Sequence, residues 1–235
     1  MWKGFTCLQP AERYCLVALS EGGEDAVSYR EFDLEKGAFV AGGFDLPKSK
    51  QGASWLDADT LIVSRDWGAG TMTRSSYPFV VKTVKRGQPL SAATEIARGD
   101  VGDQVGTYGG VVTDAKGNRL VTVRRGTTFF GGETFVWTPA GLTKLDLPPR
   151  ASIAGMVDGR VIFDTSDDWG TVKAGSVVWA PLAEVTAGRA DLLVDAHGAY
   201  TAEQAVAVGK RLDQLLADYL VKGPNADDVL RAATR

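Results

Sequence analysis

From about residue 13 to about residue 194, hydrophobic positions come in short runs broken by turn residues. Tyr14-Cys-Leu-Val-Ala-Leu-Ser20 is a compact apolar run that ends in Glu-Gly-Gly. Ala26-Val-Ser-Tyr-Arg-Glu-Phe-Asp-Leu34 alternates apolar and polar residues before the turn Glu35-Lys36-Gly37. Pro78-Phe-Val-Val-Lys-Thr-Val84 closes on Lys-Arg-Gly, and Thr134-Phe-Val-Trp-Thr138 turns over Pro139-Ala140-Gly141 to return as Leu142 to Leu147. Val, Phe, Tyr, Trp and Thr dominate these runs, as half-buried strands prefer. No segment of this region keeps a 3.6-residue period over three turns, so the body is expected to be all-β.

A tight turn containing Asp recurs ahead of an apolar strand. It is seen in Leu56-Asp-Ala-Asp-Thr-Leu-Ile-Val63, in Thr113-Asp-Ala-Lys-Gly-Asn-Arg-Leu-Val121 and in Met156-Val-Asp-Gly-Arg-Val-Ile-Phe163. The interval of about 40 to 60 residues is near that of a four-stranded propeller blade. The same turns also suit the hairpins of a β-sandwich, so spacing alone leaves both architectures open.

The last forty residues change character. Thr201-Ala-Glu-Gln204 is a capping box. Ala205, Val208, Leu212, Leu215 and Tyr219 follow at three-four spacing as one apolar stripe, and Gly223-Pro224 stops that helix before a second short one that ends near Ala233. The expected division is 1–195 for the β body and 196–235 for a helical tail.

Composition narrows the function. The 235 residues are 44% hydrophobic and 23% charged, with a net charge of −3, which is ordinary for a globular domain and far from disorder. The densest basic cluster, Lys82, Lys85 and Arg86, is too short for a phosphate footprint, so nucleic acid is not an expected partner. No apolar run is long enough to span a membrane, and the N-terminal Met-Trp-Lys-Gly-Phe-Thr-Cys reads as strand without a signal peptide. Cys7 and Cys15 match no zinc or redox pattern, two thiols do not make a disulfide framework, and they are expected as two small apolar residues on or near one strand, which fits a reducing compartment.

A search for chemistry finds none. Triad hydrolysis needs a nucleophile with a base in reach, but the single histidine, His197, lies in a Gly-flanked stretch at the seam of body and tail. Gly-x-Ser-x-Gly and Ser-x-x-Lys arrangements are both absent from the sequence. Asp57 and Asp59 read as a hairpin turn. Gly68-Ala-Gly70 lacks the third glycine of a dinucleotide site. Asp164, Asp167 and Asp168 lack the spacing and closing glutamate of a calcium loop, and read as a surface turn. The six tryptophans, among them Trp55, Trp67, Trp137, Trp169 and Trp179, read as packing residues between sheets. No catalytic, cofactor-binding or metal-binding residue is assigned, and no cofactor is expected.

Several segments resemble a known family when taken in order. They are Leu16 to Ser20 with Gly22 to Asp25, Arg30-Glu-Phe-Asp-Leu34, Gly43-Phe-Asp-Leu-Pro47, Trp55 to Val63, Asp66-Trp-Gly-Ala-Gly70, Met72-Thr73, Tyr77-Pro78, Val80-Val-Lys82 and Lys85 to Leu90. Together they look like the N-terminal β-propeller domain of prolyl-oligopeptidase-type serine peptidases, in the bacterial branch. The likeness is strong from about 14 to 92, looser through Phe129-Phe130 and Asp168-Trp169 to Ala174-Gly-Ser176, and gone after about Val194. It implies a partial propeller of about three to four blades with a short helical tail. It also implies kinship with enzymes that cut short peptides after proline, in which a propeller gates access to an α/β-hydrolase domain. Only packing and turn positions carry the match. The chain itself is expected to be inactive alone, starting inside the first blades and turning helical where further blades would follow.

The partners this resemblance suggests are a separately encoded α/β-hydrolase domain or a second copy through open blade edges, with short peptides bound only if that hydrolase domain is present. The expected location is cytoplasmic, or periplasmic if a signal segment has been lost. Two other readings are a free-standing propeller-like binding or scaffold module and a non-functional remnant of a broken peptidase gene.

Overall fold

The computed structural model describes residues 1–189 and the short strand Val194–Asp195. The chain divides between Leu193 and Val194, and the unit Met1–Leu193 carries every element discussed below. The expected helices over 201–233 and His197 lie outside the described residues.

The first sheet contains β1 (Trp2–Cys7), β2 (Tyr14–Leu19), β3 (Val27–Asp33), β4 (Ala38–Phe39) and β5 (Asp45–Ser49), ordered β1-β2-β3 with β4 and β5 both on the outer edge of β3. The second runs β6 (Gln51–Asp57), β7 (Thr60–Arg65), β8 (Val80–Lys85) and β9 (Thr94–Arg98). The third runs β10 (Thr107–Thr113), β11 (Arg119–Arg125), β12 (Glu133–Thr138) and β13 (Gly141–Lys144). The fourth runs β14 (Ala151–Val157), β15 (Arg160–Thr165) and β16 (Val177–Pro181), followed by the one-turn helix α1 (Leu182–Thr186). Every strand pairing is antiparallel and mostly between sequence neighbours. The first strands of successive sheets lie side by side, β1 with β6, β6 with β10 and β10 with β14. Four consecutive blades of a propeller result, with no closed ring among the described residues.

Packing between blades accounts for the sequence pattern. Leu61 and Val63 of β7 join Leu16, Phe44, Leu46, Trp55 and Val84 in the seam between the first and second blades. Ile62 of the same strand points the other way and packs with Val81, Ala97 and Val123 in the seam with the third. A strand buried on both faces must be a continuous apolar run, because successive side chains leave opposite faces. In β15 the apolar side chains Val161 and Phe163 are fully buried, against Leu120, Val136 and Leu145 of the third blade, while Ile162 between them is half-exposed. Close approach also dictates a glycine. A Cβ on Gly109 would lie 2.3 Å from Ile62 Cγ2, so β10 can press onto the second blade only without a side chain there.

The three Asp-containing turns occupy one structural position, the connection between the first and second strands of blades two, three and four. Asp57 Oδ1 accepts the Asp59 amide at 2.8 Å. Asp114 Oδ1 accepts the amides of Lys116 and Asn118 at 3.0 and 2.9 Å, and its Oδ2 accepts the Gly159 amide of the next blade at 2.8 Å. Asp158 and Gly159 both have positive φ, 50° and 72°, the backbone that a two-residue hairpin with right-handed strand twist requires.

The first blade departs from this scheme, and so does the expectation for its cysteines. Cys7 and Cys15 lie on adjacent strands, directly opposite in register, and form a disulfide. The two thiols are therefore not independent apolar side chains. The eight-residue separation spans a hairpin loop, Leu8–Arg13, and hairpin geometry brings its flanking positions together. The blade's outward face is also open: Phe5, Val17, Phe32, Leu34 and Phe39 line an apolar groove beside Cys15.

Candidate functional site

The first strands of three blades border a depression of about 410 Å³. One wall is β1 and its loop, with Phe5, Thr6, Cys7 and Glu12. The opposite wall comes from β6 (Ser54, Trp55) and β10 (Val111, Thr113), with Arg119 of β11 at the edge. Trp55 anchors the arrangement. Its ring is buried against Phe44 in an edge-on contact, and its Nε1 donates to the Thr6 carbonyl at 3.0 Å, tying the second blade to β1. Arg119 donates to the Trp55 carbonyl at 3.4 Å and forms no ion pair among the described residues. Glu12 accepts from the Gln9 side chain. The cavity thus presents aromatic walls, one guanidinium and one carboxylate. These groups offer apolar contact and one charge of each sign, but none is an activated nucleophile, since the sulfur of Cys7 is bonded to Cys15.

Carboxylates elsewhere are engaged in holding blades together. Glu31 is buried and takes Arg86 through both oxygens, at 2.7 and 3.1 Å, along with the Phe44 amide at 2.8 Å. Arg86 also lies over the Phe44 ring, and the Glu31 carboxylate raises its already high pKa. Asp33 is bridged to Arg13 across the first blade. Asp103 accepts Arg125 through both oxygens, at 2.8 and 2.9 Å, and this guanidinium holds its carboxyl below the usual carboxylate range against the opposing effect of burial.

The residues weighed from sequence are dispersed. Asp57 is a turn acceptor and Asp59 is paired with Arg86. Gly68 donates to Asp66 in a turn, and both Gly68 and Gly70 have positive φ. Asp164 accepts from Ser152, Asp167 pairs with Arg150 and Asp168 with Lys173. Among the described residues no group of three or more His, Cys, Asp or Glu could hold a metal ion. Of the basic cluster, Arg86 is committed to Glu31, and Lys82 lies over the Trp67 ring. Trp55 and Trp169 pack between or within blades. Trp179 is covered by Arg160.

The blade arrangement invites comparison with known proteins. No family model matches the chain. An uncharacterised peptidase of Sinorhizobium fredii is 41% identical over 179 residues, covering 74% of this chain and 24% of that protein. An uncharacterised peptidase of Rickettsia prowazekii is 27% identical over 188 residues, 73% of this chain and 26% of its own length. The solved structure of a post-proline cleaving enzyme from Rickettsia typhi superposes with a TM-score of 0.74 at 22% identity, over 83% of this chain and 31% of that one. The chain is a partial propeller of the prolyl-oligopeptidase type. Oligopeptidase B from Leishmania major shares the fold more distantly, with a TM-score of 0.55 at 10% identity over 80% of this chain. The partial propeller spans about a quarter of the length of the curated relatives it matches.

The cavity residues were not visible as a site in the sequence, because they come from β1, β6, β10 and β11 and share no motif. The one available signal was the repeat itself, since equivalent first strands of a propeller line its axis.

Proposed function

We propose that this partial propeller is a non-catalytic segment of a prolyl-oligopeptidase-like peptidase, shaping the approach of short peptides to a hydrolase domain carried elsewhere. The observation that carries this reading is that, among the described residues, no serine, threonine or thiol is hydrogen-bonded to a histidine or lysine. The sequence holds one histidine and two cysteines, and both cysteines are consumed in a disulfide. Acyl transfer needs a serine, threonine or thiol polarised by a neighbouring base, and the buried carboxylates Glu31, Asp33, Asp103 and Asp114 are tied to arginine, asparagine or backbone amides. The fold supports this reading, because the first strands of three blades border a cavity lined by Phe5, Trp55, Arg119 and Glu12.

The test is direct. The purified chain is incubated with a serine-reactive fluorophosphonate probe and, separately, with a Gly-Pro chromogenic peptide. The reading expects no labelling and no turnover above a heat-treated sample. Covalent labelling at any serine, with release of chromophore, would overturn it.

A further inference from the structure

We propose that the Cys7–Cys15 disulfide is a redox-conditional latch that holds β1 in place as a wall of the inner cavity, and that its reduction releases that strand. This inference does not depend on the proposed function and concerns how the fold itself is fastened.

The case starts from how poorly β1 is held otherwise. None of its six residues is buried, and Trp2 and Phe5 are each 62% exposed. Each of the equivalent strands β6, β10 and β14 contributes at least one buried residue. The hairpins that begin with those strands are also closed by turns in which Asp accepts backbone amides or Asp-Gly takes the required positive φ. The β1–β2 connection is instead the longer loop Leu8–Arg13, whose backbone closes through Leu8 N to Tyr14 O at 2.8 Å and Glu12 N to Leu8 O at 2.9 Å. Beyond its ladder with β2, β1 is tied by hydrogen bonds of Met1 with Ser20, of Lys3 with Gly23 and of Thr6 with Trp55. The covalent bond stands where the other blades have a turn and a buried side chain.

Access to the bond is built in on one side. Cys15 is 1% exposed, whereas Cys7 lines the cavity, so the cavity is the side from which we place the attacking thiolate, at Cys7. The chemistry is thiol–disulfide exchange with a dithiol, either small or protein-borne. Its first thiolate attacks Cys7 Sγ, forming a mixed disulfide and expelling Cys15 as thiolate. Its second thiol, deprotonated, then attacks the mixed disulfide, releasing Cys7 as thiolate and closing the reagent's own disulfide. The protein gains two electrons and, once both thiolates are protonated, two protons; the dithiol loses the same.

The test uses the full chain with dithiothreitol as the dithiol. Intact mass before and after, without denaturant, reads the bond, and hydrogen exchange followed by peptide mass reads each strand. Chain purified in air should carry the disulfide and gain the mass of two hydrogens on treatment. Amides of residues 2–7 should then exchange about 50-fold faster, while β7, β11 and β15 stay protected. A Cys7→Ser/Cys15→Ser variant, in air, should match the reduced wild type. Free thiols in the air-purified chain, a bond that resists dithiothreitol until denaturant is added, unchanged exchange at 2–7, or equal loosening of all four blades would each overturn the latch. The reduction of wild-type chain decides the matter even if the double variant fails to fold.

Discussion

The hairpin that opens the first blade and those that open the other three perform the same structural task with different chemistry. In blades two to four, turn residues shape the connection and interblade packing holds the strands, as with Asp57 ahead of Leu61 and Val63, or Asp158-Gly159 ahead of Val161 and Phe163. In the first blade the connection lacks that turn, the inner strand buries nothing, and a disulfide joins the pair. The contrast separates two ways of fixing a strand. Packing works wherever a second blade lies across the face, and each such side chain is also part of the global core. A crosslink works where no second surface lies across the strand, and it acts locally.

Truncating a side chain on each side sharpens this contrast most. Leu61 is fully buried in the seam between the first two blades, so Leu61→Ala removes both transfer energy and packing, at a cost of about 3 kcal/mol or more. Phe5 is the larger side chain, but it lies on β1 and is 62% exposed. Phe5→Ala should cost no more than about 0.5 kcal/mol. Urea unfolding measures both. A Phe5→Ala cost approaching that of Leu61→Ala would mean that β1 is packed as the other first strands are, and the contrast would fail.

A smaller effect is expected at a turn. Gly159 has φ of 72°, a conformation in which any side chain is strained. Gly159→Ala should destabilise by about 1 kcal/mol, also read in urea. Its effect on hydrogen exchange should centre on β14 and β15, leaving β1 unchanged. The corresponding loop of the first blade should tolerate Gln9→Ala without measurable loss, because its closing bonds are between backbone groups.

Much of this was legible in the sequence for a physical reason. Leu61-Ile62-Val63, buried on both faces, can only be a continuous apolar run, whereas Val161-Ile162-Phe163 is equally apolar in sequence although Ile162 is half-exposed, so the run marks the strand but not how many of its faces are covered. The Asp turns were readable because Asp57 and Asp114 bond amides of their own turns and Asp158-Gly159 takes a hairpin backbone, which are local features. What escaped was long-range. The Cys7–Cys15 bond depends on hairpin register, and no framework of further cysteines advertised it. The pairing of Glu31 with Arg86 joins positions 55 residues apart. The cavity is assembled from strands whose only common property is being first in their blade.

An ion pair between blades gives a prediction whose sign can be fixed in advance. Arg125 holds the Asp103 carboxyl below the ordinary range near 3.9, with help from the Asp100 amide. A carboxyl with a depressed folded-state pKa binds protons more readily in the unfolded chain. Its contribution is therefore complete above the unfolded value and disappears as pH falls through the folded one. Asp103→Asn should cost about 1 kcal/mol at pH 7, and the gap in melting temperature between variant and wild type should close progressively below about pH 4. Because Asp103 and Arg125 fasten the second blade to the third, Asp103→Asn should leave exchange at residues 2–7 unchanged at pH 7, where Asp33 and its partner Arg13 in the first hairpin stay ionised. Faster exchange at residues 2–7 in the variant than in wild type at that pH would show β1 coupled to the seams between blades, contrary to a locally fastened strand.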